Sequence, residues 1–274
     1  MKSLFKVFMV IAGVLLFVNT QAQNTGTNPF VNSTHTYNIT KGSIVGTTLA
    51  WSVTDGTAGT NFNFVGATDQ TSVQVQWLTV GTYTLQVTET RTDVAGGLAG
   101  CPTTRNITVN VIANTFDVIA ALVTDADACA TVVNPVVDVS ADGDNSDDTF
   151  GTTTRAYTVS MAGGDTGKSW SFDYALTDLS AFNLGDITAV NITGGTATGN
   201  NIVVPAGTTE VTISISYSTN KNASGTNGQD PDFDIVLTLT NAKDQLGTPD
   251  SDGSNDAATY SVKAIPATTG ITTD

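Results

Sequence analysis

Apolar residues recur at every second position in many short stretches of this chain, the spacing that places side chains on one face of a strand. The first half reads Tyr37 and Ile39; Leu49, Trp51 and Val53; Phe62 and Phe64; Val73, Val75 and Trp77; Tyr83, Leu85 and Val87; and Ile107, Val109 and Val111. Turn-forming residues separate them at Asp55-Gly56, Gly66 to Asp69, Gly81 and Ala95 to Gly100. After Ala113-Asn114-Thr115 a second series begins: Val136 and Val139; Tyr157, Val159 and Met161; Trp170, Phe172 and Tyr174; Ile202 to Val204; Val211, Ile213, Ile215 and Tyr217; Phe233, Ile235, Leu237 and Leu239; and Tyr260 and Val262. No segment sustains apolar residues at i, i+3, i+4 and i+7, so a helical reading fails. Short strands at this spacing predict an all-β chain of two tandem sandwiches.

Two resemblances sharpen that expectation. The run WSVTDG at Trp51 to Gly56, with VQVQWLTVGTYTLQVTET at Val73 to Thr90 and Gly100-Cys101 after it, resembles the PKD-like immunoglobulin-fold domains of large surface proteins in gliding and adhesive bacteria. It covers residues 29 to 113; the family's full W-x-F-G-D-G signature is absent, so only Trp51, Asp55 and Gly56 carry over. In the second half, NNIVVPAGTTEVTISISY at Asn200 to Tyr217 and DFDIVLTLTNAK at Asp232 to Lys243 resemble Calx-β sandwich modules, a cadherin-like architecture, though without that family's Glu-rich calcium positions. Together the resemblances imply immunoglobulin-like β-sandwiches and an adhesive or gliding surface system with its type IX export route.

The start of the chain changes the picture of where this fold works. Lys2 and Lys6, the apolar run Val7 to Val18, and Thr20-Gln21-Ala22 have the three-part organisation of a secretory signal. The expected organisation is therefore a signal peptide over 1–22, a PKD-like sandwich over 23–113, a second sandwich over 114–266 and a polar tail over 267–274. The apolar run, at about 12 residues, falls short of the roughly 20 that a membrane helix needs, so no membrane insertion is expected after cleavage. Export to the cell surface or beyond is expected, with the periplasm open.

Composition supports strands and turns: there are 49 Thr and 26 Gly, and all acidic residues except Glu89 and Glu210 are Asp. The formal net charge is −15, and loss of Lys2 and Lys6 with the leader takes it to −17. Such a chain repels nucleic acid and anionic lipid.

Candidate chemistry is sparse. Oxygen donors alternate at Asp142, Asp144, Ser146 and Asp148, and again at Asp250, Asp252, Ser254 and Asp256, a pattern that can wrap Ca²⁺, which takes six to eight oxygens. An EF-hand would need Glu where Thr153 and Ser261 stand, and the competing reading is a solvated turn whose Asp side chains cap their own backbone. Asp230, Asp232 and Asp234 form a weaker third cluster. Cys101 and Cys129 are expected to pair as a disulfide, worth roughly 3 to 4 kcal/mol in the chain-entropy model.

No catalytic or cofactor-binding residue is expected. His35 is the only histidine and reads as an exposed strand residue, and a lone His with many scattered Ser residues is not a triad. Trp51, Trp77 and Trp170 alternate with apolar neighbours and read as core. The expected function is a non-enzymatic surface protein that binds an adhesin or other envelope protein. The alternative is a carbohydrate-binding module of a polysaccharide-utilisation system, which would require an outward Trp.

Overall fold

The computed structural model describes residues 24–42, 46–92, 102–123, 127–129, 152–178, 185–219 and 232–263. The segment expected to be a signal peptide, the tail expected over 267–274, Val136 and Val139 lie outside the described residues. What is described is all-β, with one turn of 3-10 helix at Gly253–Asn255. Its strands form four sheets packed as immunoglobulin-like sandwiches.

Strands β1 (Thr34–Asn38), β4 (Ser72–Trp77) and β3 (Phe62–Val65) form one sheet in that order, and β2 (Thr47–Val53), β5 (Gly81–Arg91) and β6 (Thr103–Val111) form another. Every pairing in them is antiparallel. The alternating apolar residues enter the space between the sheets as one core, from Tyr37 to Val111. Trp77 on β4 stacks on Tyr83 of β5 with ring centroids 5.4 Å apart, and its Nε1 donates to the Tyr37 hydroxyl at 3.0 Å. The Tyr83 hydroxyl donates to the Thr79 carbonyl at 3.1 Å, a tyrosine corner of the kind found in immunoglobulin sandwiches.

A second core runs from Phe116 to Val262. One of its sheets has the order β11 (Gly185–Thr193), β14 (Glu210–Thr219), β9 (Thr152–Ala162), β7 (Asp117–Leu122). The facing sheet runs β12 (Thr196–Thr198), β13 (Asn201–Val204), β10 (Trp170–Leu176), β15 (Phe233–Asp244), β16 (Ala257–Lys263), β8 (Asp127–Cys129). Buried tyrosines tie the two layers: Tyr157 donates to the Ile235 carbonyl at 2.8 Å and Tyr260 to that of Ala156 at 2.9 Å. The Val204–Gly207 segment passes from one sheet to the other, because β13 and β14 belong to different layers.

The alternation in the sequence leaves four of these strands unread. Strand β11 carries a register shift between Ile187 and Ala189, which breaks the period of two. Strands β8 and β12 are three residues each, and β7 alternates Val118, Ala120 and Leu122 only weakly. In the turn after β9, Gly163 has φ +64°, and a Cβ there would collide with the Thr115 carbonyl oxygen. Only glycine fits both requirements.

Candidate functional site

Three places gather polar side chains, and the first lies where β1 meets the second sandwich. Asn24, Ser33, His35, Asp244 and Thr248 are the buried polar residues among those described, and they form one network. The Asn24 amide donates to Asp244 Oδ2 at 3.1 Å and to Thr248 Oγ1 at 2.9 Å. Its Oδ1 accepts from the Phe30 amide and from His35 Nε2, both at 2.9 Å. Since Oδ1 can only accept, His35 Nε2 carries the proton. Asp244 Oδ1 accepts from the amides of Leu246 and Thr248, each at 2.8 Å, and the Thr34 amide donates to the Leu246 carbonyl.

His35 is therefore not the exposed residue the sequence suggests: it is 6 % exposed and half of a junction. Burial lowers its pKa from 6.5 to about 4, with Asp244 raising it and Lys168 lowering it as smaller effects.

The second place is the 250–256 loop. Asp250 Oδ2 accepts from the Val118 amide at 3.1 Å and Oδ1 from the Asp252 amide at 2.9 Å. Asp252 Oδ1 accepts from both the amide and the hydroxyl of Ser254. Asp252 and Ser254 thus cap the local backbone, as the turn reading anticipates. Asp117, which the sequence reading missed, joins from β7, where Asn255 Nδ2 donates to both its oxygens. Burial first, then mutual repulsion, raises the pKa of Asp117. Asp250 and Asp256 are raised for the same two reasons. As placed, no three His, Cys, Asp or Glu side chains among the described residues form a metal-binding group. The companion series Asp142, Asp144, Ser146 and Asp148 lies outside the described residues, as do Asp230 and Cys101. Asp232 pairs with Lys263 at 3.5 Å and Asp234 accepts from Ser261, so these carboxylates have strand-surface partners.

The third place is the open end of the first sandwich. On β6 the odd-numbered side chains face inward, as buried Val109 and Val111 show, yet Ile107 is 39 % exposed. Arg105 and Thr103 continue that inward series. Their cross-strand partners are Val87 and Glu89, and beyond them Arg91 pairs with Thr47. The inner face thus changes from apolar to charged along its length, opening a groove of about 430 Å³ that also meets Ile39 and Thr40. Glu89 accepts from the Thr47 hydroxyl at 2.7 Å. The sequence signal for this site is the arrival of Thr103 and Arg105 in phase with Ile107, Val109 and Val111.

The three Trp side chains are 8 %, 0 % and 1 % exposed, and each indole N–H is satisfied internally. The exposed large hydrophobic residues among those described are Val and Ile, without an aromatic ring.

No protein-family profile matches the chain, and no curated protein matches it. Solved structures share its general β architecture at low identity. One is a complex titled Dpr2 Ig1-Ig2 with DIP-Theta Ig1-Ig3, at 13% identity, covering 85% of this chain and 91% of that one with a TM-score of 0.25. The D00-D0 domain of Intimin gives 11% identity, 81% and 94% coverage and a TM-score of 0.25. The SGBP-B protein of a Bacteroides ovatus mixed-linkage glucan utilization locus, in complex with a heptasaccharide, gives 14%, 89% and 67% coverage, and 0.24. At these scores the superpositions carry no functional argument.

Proposed function

We propose that this chain is a non-enzymatic, exported protein of a bacterial surface that binds a protein neighbour through strand edges or loops. The observation that supports this reading over carbohydrate binding is the fate of the aromatic rings. A glycan platform needs a ring face in solvent, whereas Trp51, Trp77 and Trp170 are buried with their N–H groups bonded inside. The finer assignment is an accessory of adhesion or gliding machinery served by type IX export. It rests on the PKD-like and Calx-β-like resemblances quoted above.

Two further elements belong to the reading. A disulfide between Cys101 and Cys129 would join the segment before β6 to the end of β8. Calcium at the second loop would draw together Asp117, Asp250 and Asp256, since Asp252 and Ser254 already cap the backbone. A polysaccharide array probed with the mature protein separates the two functional classes. The expected result is no saturable binding, and saturable binding to one polysaccharide would transfer the function to glycan recognition.

A further inference from the structure

We propose that the outer edge of β6 between Thr104 and Thr108 takes an extended acidic segment of a partner protein as an added strand, with Arg105 meeting its carboxylate. This rests on the protein-binding reading above and names its site.

Strand β6 is the last strand of its sheet, with β5 on one side only. At its far end the outer side is already in use: Asn110 donates to the Thr27 carbonyl at 2.8 Å and Ile112 to that of Pro29 at 2.9 Å. Because the direction of N–H groups alternates along a strand, the amides of Thr104, Asn106 and Thr108 face the same outer side as those of Asn110 and Ile112. Among the described residues no backbone bond reaches them from that side. The chain's own segment Thr27–Val31 therefore lies along one part of this edge and, among the described residues, the adjoining part is left as a template. A row of amides and carbonyls at strand spacing matches a peptide, whose own backbone repeats in the same way.

Every residue from Thr103 to Thr108 is exposed. An added strand would place its inward-facing side chains directly beside Arg105 and Ile107, at cross-strand distance. Ile107 offers an apolar surface, and Arg105 has no hydrogen bond or ion pair among the described residues. The mature chain has few basic residues, and Arg105 is one that lines this groove. Guanidinium groups bind carboxylates through paired N–H donors. The fitting occupant is an extended stretch of alternating residues with one Asp or Glu among small apolar side chains.

Fluorescence anisotropy with full-length mature protein tests this. The probes are a synthetic peptide of alternating Val and Thr with one central Asp, the same peptide with Asn there, and the Asp peptide N-methylated at alternate amides. The Asp peptide should bind roughly tenfold more tightly than the other two, the size of one charge-assisted contact. Arg105→Gln should erase the preference for Asp over Asn. Asn106→Pro, which removes an outward N–H not used in the fold, should weaken the Asp and Asn peptides alike while leaving the melting temperature near that of wild type. Equal affinity for all three peptides, or no binding by wild type, overturns the proposal. Sedimentation equilibrium showing a wild-type dimer that Asn106→Pro dissociates would also overturn it, because the occupant would then be a second copy. If an envelope protein is retained equally by wild type and both variants, this site fails while the protein-binding reading stands; retention of glycan alone sinks the reading itself.

Discussion

Acidification should unlock the junction between the sandwiches through His35. In the folded chain its pKa is about 4, against 6.5 for a free side chain. The unfolded chain therefore takes up this proton first as pH falls. The contribution of neutral His35 is complete above pH 6.5, declines between 6.5 and about 4, and is gone below. At 1.36 kcal/mol per pH unit, the full loss is about 3 kcal/mol. The physical cause is that an imidazolium would be charged in a site from which water is excluded, close to Lys168, with only Asp244 in its favour. His35→Gln is the informative variant, because its Nε2 can still donate to Asn24 Oδ1 but cannot titrate. Urea unfolding followed by Trp fluorescence at a series of pH values, in wild type and variant, isolates the effect. Contributions of carboxylates remote from His35 cancel in the difference. The stability of wild type relative to His35→Gln should fall by about 3 kcal/mol between pH 7 and pH 4. A difference that stays flat with pH would refute the buried, neutral assignment of His35.

Other consequences are as direct. Trp77→Ala removes a fully buried ring stacked on Tyr83 and bonded to Tyr37, and should cost about 3 to 5 kcal/mol in denaturant titration. Tyr157→Phe deletes a bond between the two layers of the second sandwich and should cost about 1 to 2 kcal/mol, measured the same way. Gly163→Ala should lower the melting temperature markedly, since it meets both a positive φ and the Thr115 carbonyl. Excess Ca²⁺ over chelator should raise the melting temperature of wild type and not of Asp250→Asn, because a cation offsets the repulsion among Asp117, Asp250 and Asp256. An unchanged melt would leave this loop as a capped turn.

The core was legible in the sequence because the period of two is a local property: Val73, Val75 and Trp77, or Val211, Ile213, Ile215 and Tyr217, announce their face through their neighbours. Strand β11 was not, since its bulge shifts the phase between Ile187 and Ala189. The candidate sites were legible only in part. Asp250 to Asp256 lie together in the chain and could be read as a loop, but Asp117 reaches them from β7, across 133 positions of sequence. His35 is in phase with inward Tyr37 on β1, a local signal of burial, but its partners were hidden by distance, since Asn24 and Asp244 come from opposite ends of the described chain. Arg105 was visible as a residue, but its exposure on an inward series depends on how far the facing sheet extends, which periodicity does not encode.

The central claim, a surface protein that engages another protein rather than a sugar, is tested most directly by affinity capture of the tagged mature chain from its native envelope, with bound material resolved by mass spectrometry and by glycan analysis. One envelope protein recovered reproducibly, at a constant ratio to the bait and after glycosidase treatment, is the predicted result. Recovery of polysaccharide with no such protein would contradict it.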